Sequence, residues 1–165
     1  MTAYGTADIT LVDQFVYYQA FYLDRDTLLS GVEFSMSNAG DYTAADSNQV
    51  ALFSYSAGTL TLLRKSKSRD DIWKSTASTM IKEPFTDQYD AVKGLYILAA
   101  IYNQSGSSDA PRLNCGAEGS LVGKSLDLTN SAKLSGSESA FVTFPASRSM
   151  ADINRIVNTL GLFPY

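Results

Sequence analysis

The chain has 165 residues, 45% of them hydrophobic and 18% charged, with a formal net charge of −4. That is long enough for one domain with a sizeable core, and the charge is of the wrong sign for a general nucleic-acid binder. The absence of histidine excludes Ser/His/Asp and Cys/His catalysis, the histidine ligands of most zinc sites and the ordinary switch near neutral pH.

The N-terminal stretch MTAYGTADITLV has no basic region followed by an apolar run, and no stretch of about eighteen apolar residues occurs, so neither a secreted precursor nor membrane insertion is expected. Gln14 to Leu23 (QFVYYQAFYL) is apolar on both alternating sets, which predicts a strand covered on both faces. After the turn signal Asp24-Arg25-Asp26, Gly31 to Ser37 alternates, placing Val32, Phe34 and Met36 toward a core. Asn38 to Asn48 is dense in Gly, Asp, Asn and Ser and reads as a long loop. Gln49 to Tyr55 and Thr59 to Leu63 form a hairpin across Ser56-Ala57-Gly58, with the glycine supplying positive φ in a three-residue loop. Arg64 to Asp71 is a charged connector, and Ile72, Trp73, Thr76 and Met80 fit either helical turns or a loop.

Met80 to Phe85 is a strand that Pro84 assigns to an edge or a terminus, whereas Gly94 to Tyr102 (GLYILAAIY) reads as a central, buried strand. Ser105 to Ser139 is either irregular or a set of very short strands packed by Leu113, Leu121, Leu126, Leu128 and Leu134. Phe141 to Phe144 resumes a strand. Ser149 to Asp152 matches a capping box, which predicts a short helical turn followed by a strand within Ile156 to Phe163. Cys115 has no partner for an internal disulfide and no histidine to activate it. About seven or eight short strands with an aromatic first strand fit a single all-β domain over residues 1–165, a jelly-roll-like β-sandwich. The aromatic residues from Phe15 to Tyr22 exceed what one sandwich core needs, which suggests apolar subunit interfaces.

The order FYLDRDTLLSGVEFSMSNAGDYTAADSNQVALFSYSAGTLTLLRKS, DIWKS, FTDQYDAVKGLYILAAIYN, APRL, LTNSAKLSG and FPAS spans roughly Tyr17 to Ser147. It resembles the C-terminal head domains of bacteriophage tail-fibre and other receptor-binding virion proteins. The resemblance implies a jelly-roll head that forms a homotrimer on the extracellular surface of the phage particle and binds a host surface glycan or glycoprotein. The basic run RKSKSR departs from the neutral turn found at that place in the family. No catalytic residue carries over, and a non-enzymatic function is expected.

Residues that could meet such a ligand can be named. Trp73 suits stacking on a sugar ring or plugging a core, and Tyr42 and Tyr89 lie in polar, turn-like surroundings that suit a surface platform. Arg64, Lys65, Lys67 and Arg69 could meet sulfated, sialylated or phosphorylated glycans unless Asp70 and Asp71 neutralise them. Asp41, Asp46 and Asn48 offer oxygen ligands that Ca²⁺ could use only with help from backbone carbonyls. The carboxylate pairs Asp24/Asp26, Asp70/Asp71 and Asp87/Asp90 all read as turn residues. The alternatives to a receptor-binding head are a structural trimer cap without a ligand and a carbohydrate-binding module of a bacterial enzyme.

Overall fold

The computed structural model describes residues 7–74, 80–116, 135–155 and 159–165, and nearly all of its regular structure is β. The strands in chain order are β1 (Ala7–Thr10), β2 (Phe15–Leu23), β3 (Thr27–Asn38), β4 (Asp41–Ala44), β5 (Gln49–Ser56) and β6 (Thr59–Lys65). They continue with β7 (Met80–Ala91), β8 (Gly94–Tyr102), β9 (Gln104–Asp109), β10 (Arg112–Gly116) and β11 (Ser135–Ser139). The last are β12 (Ser147–Ser149), β13 (Asn154–Arg155), β14 (Thr159–Leu160) and β15 (Leu162–Pro164). One antiparallel sheet has the order β12-β6-β5-β8-β2-β11-β13. The other runs β1-β10-β3-β15, with β7 also on β3 and β14 on β10, while β4 and β9 form a separate ribbon.

Strand β8 lies between β5 and β2, so the most apolar segment of the sequence occupies the middle of its sheet. Its even-numbered residues, Tyr96 to Tyr102, join Tyr17, Val50 and Leu52 against Val32, Phe34, Met36 and Leu113 of the facing sheet. Its odd-numbered residues, Ile97, Ala99 and Ile101, join Val16, Tyr18, Ala51, Phe53 and Leu60 in a second core on the other face. Phe144, Met150 and Ile153 cover that second core. The aromatic surplus of β2 is therefore consumed inside the chain: Tyr17 and Tyr18 each enter a different core, and Tyr22 is the large apolar residue of β2 left exposed.

The seven-stranded sheet is strongly curled. Arg148 on β12 is the register partner of Leu60 on β6, yet its Nε donates to both carboxylate oxygens of Glu138 on β11 at 2.7 and 2.9 Å. In a flat sheet β12 and β11 would stand five strand spacings apart, about 24 Å, well beyond the span of an arginine and a glutamate side chain. The curl wraps the sheet around the second core and brings its ends together at this ion pair. Strand β7 links the two sheets at a corner. It pairs with β3 on either side of a bulge, and between those stretches Phe85 bridges Ser66 while the Thr86 hydroxyl donates to the Lys65 carbonyl at 3.0 Å.

Several expectations are corrected. Asn38 to Asn48 contains strand β4, because Tyr42 turns inward and pairs the segment with β9. The β5–β6 hairpin has a two-residue turn, Ala57-Gly58, with both residues at positive φ (46° and 83°), and Ser56 already pairs with Thr59. Ile72 and Trp73 lie in a turn rather than a helix, while Thr76 falls outside the described residues. Strand β7 continues beyond Phe85 to Ala91, so Asp87 and Asp90 are strand residues rather than turn residues. Phe141 to Phe144 is irregular and delivers Phe144 to the second core. Ser149 caps a 3₁₀ turn, Met150–Asp152, as its capping pattern predicts. The single late strand is replaced by the short pieces β13, β14 and β15. Leu121, Leu126, Leu128 and Leu134 lie outside the described residues.

Candidate functional site

The basic run is mostly engaged by the protein itself. Arg64 donates from Nε to the Gln88 carbonyl at 3.2 Å and from Nη1 to the Leu63 carbonyl at 2.7 Å. Its guanidinium also lies 5.3 Å from the centre of the Tyr89 ring, so two of the expected ligand residues meet as a staple across the β6–β7 corner. Tyr89 sits within strand β7 and packs edge-on against Tyr96, a half-buried position rather than a turn platform. Arg69 forms paired bonds to the two oxygens of Asp71, each at 3.0 Å, and a third to Glu83 at 3.0 Å. The guanidinium hydrogen bond holds the Asp71 carboxyl below the usual carboxylate range, whereas burial raises that of Glu83 despite Arg69. Of the run, Lys65 and Lys67 present exposed side chains without an ion pair among the described residues.

Tyr42 and Trp73 are brought together, but inside. The Trp73 side chain is fully buried, its indole N–H donates to the Ile101 carbonyl at 3.1 Å, and its ring centre lies 5.0 Å from that of Phe34. The Tyr42 hydroxyl accepts the Trp73 backbone N–H at 3.3 Å, and its ring meets Tyr102 edge-on while Lys74 covers it at 4.7 Å. Both rings are packed inside the fold: Trp73 fills the core, one of its two expected roles, and Tyr42 is buried rather than lying on a polar, turn-like surface. Burial raises the Tyr42 hydroxyl above its usual pKa, as expected of a packed phenol.

Of the suggested Ca²⁺ ligands, Asn48 is already committed to the backbone. Asn48 is buried and reciprocally bonded to the backbone of Asn103, donating from Nδ2 to its carbonyl and accepting its N–H at Oδ1, both at 2.9 Å. Both ends of its amide are thus occupied. Asp41 lies at the start of β4, and Asp46 holds a positive φ of 48° in the following loop. Among the described residues no group of three or more His, Cys, Asp or Glu is placed to hold a metal ion.

A different arrangement stands at one end of the sandwich, where the β2–β3 and β7–β8 connections, each passing from one sheet to the other, adjoin. The Asp26 Oδ1 accepts the Lys93 backbone N–H at 2.8 Å, which fixes one tip to the other. Beside this bond is a cleft of about 300 Å³ lined by Asp26, Thr27, Leu28, Asp90, Ala91 and Val92. Leu28 pairs with Asp90 and Thr27 with Ala91, so continuing the register by one sets Asp26 opposite Val92. The alternation of the strands then puts Asp26, Leu28, Asp90 and Val92 on one solvent face, with carboxylates on one diagonal and apolar side chains on the other. Diagonal neighbours of this kind are about 7–8 Å apart. Leu28 is 49% and Val92 63% exposed, and neither carboxylate forms an ion pair among the described residues.

The sequence carried part of this signal, since Asp24-Arg25-Asp26 marks a tip. The pairing with Asp90 was hidden by the reading of Asp87 and Asp90 as turn residues. No protein-family model, curated protein or solved structure matches the chain.

Proposed function

We propose that the chain is a non-enzymatic, jelly-roll-like head domain of a bacteriophage virion, displayed as a homotrimer, that adheres to carbohydrate on the host surface or on a mucin-type glycoprotein. The observation that carries the reading is the tip cleft with its alternating carboxylates and exposed aliphatic side chains. Carboxylates accept hydrogen bonds from vicinal hydroxyls while Leu28 and Val92 offer apolar surface to the C–H face of a sugar ring. The cleft is open, and Asp26, Leu28, Asp90 and Val92 on its wall are exposed, a geometry that holds a ligand without enclosing it. The order of sequence segments supports the virion setting. A shallow site binds weakly, and three copies on one fibre end would convert weak contacts into long residence through effective concentration.

The test is a glycan and mucin binding screen on the purified chain, run beside light scattering. The reading expects a trimer that binds at least one glycan, with binding lost in Leu28→Ser/Val92→Ser, a variant that alters only exposed side chains. A trimer that binds no glycan would refute the adhesive function and leave the assembly cap in its place. A monomer that binds polysaccharide would refute the avidity mechanism and favour the carbohydrate-binding module.

A further inference from the structure

We draw no further inference here: the strongest candidate, the surface patch in which exposed Tyr22 on β2 pairs with half-buried Leu95 on β8 at the margin of the second core, beside half-buried Tyr55 on β5, is an apolar sheet face, and nothing in the structure shows what covers it.

Discussion

The ion pair that closes the curled sheet should be worth far more than a surface salt bridge, and its two halves should not be worth the same. Glu138 is 7% exposed, and its carboxylate lies beside the buried Tyr18 hydroxyl, which has no hydrogen-bond partner among the described residues. Arg148 is about a third exposed, stacks on Phe141 at 5.4 Å and has Asp152 within 3.8 Å as a second carboxylate. Replacing Arg148 by Met leaves a buried carboxylate with no cation. Loss of one member of a buried pair typically costs about 3–5 kcal/mol, and the partial exposure of the arginine reduces this to about 2–3 kcal/mol. For a domain of this size that is a fall of about 5–10 °C in Tm. Glu138→Gln leaves an arginine that still reaches water and Asp152, so it should cost about 1 kcal/mol. The double variant should resemble Glu138→Gln alone. Urea unfolding followed by circular dichroism and by Trp73 fluorescence measures all three, with Trp73 reporting from the other core. The reasoning fails if Arg148→Met costs no more than Glu138→Gln, or if either single change lies within about 0.5 kcal/mol of the parent.

Glu83 should make stability depend on pH. Burial raises its carboxyl above the usual 4.5, so the folded state binds the proton more tightly than the unfolded chain, and the group's contribution to stability grows as pH falls through the raised value toward 4.5. Glu83→Gln should flatten that part of the pH–stability curve and change stability little at pH 7, because Arg69 keeps Asp71; urea midpoints across this range decide it. Trp73→Phe should cost about 2–4 kcal/mol, combining the Ile101 carbonyl left without its indole donor and the smaller ring, and native Trp73 emission should be blue-shifted and shielded from iodide. An exposed emission spectrum would restore Trp73 as a ligand platform. Burial pushes the Cys115 thiol up to about 12, so it should resist a disulfide reagent at pH 8 until the chain is unfolded in urea. Rapid labelling of the native protein would contradict the packing of β10 against the core.

What was legible in the sequence was whatever depended on alternation and composition within one segment. The double-sided β2, the central β8 and the core positions of β3 follow from apolar spacing alone, and the Ser149 cap follows from a local side-chain bond to Ala151. What stayed hidden depended on which segments meet. Tyr42 looks polar in its loop because its neighbours are Asp and Thr, and only the pairing of β4 with β9 turns it onto Tyr102. Arg64 and Arg69 read as free cations because Gln88 and Glu83 are far from them in sequence and arrive only when β7 bulges toward β6. Asp90 read as a turn residue because three acids and amides cluster in DQYD, although β3 carries enough paired backbone to hold that stretch extended.

The aromatic surplus shows how such a miss spreads into function. One sandwich has one core, so the ring-rich β2 invites an interface between subunits as the place for the remainder. A sheet curled around a second core removes that need, because Phe144, Met150 and Ile153 return along the chain to cover its outer face. The argument for a trimer then rests on segment order and avidity and no longer on surplus aromatic surface. Binding has to be sought where side chains remain unspent after both cores and the arginine staples are satisfied. At the tips, Leu28 and Val92 are exposed and neither Asp26 nor Asp90 forms an ion pair among the described residues, so that cleft is one place where surface chemistry is still available to a ligand.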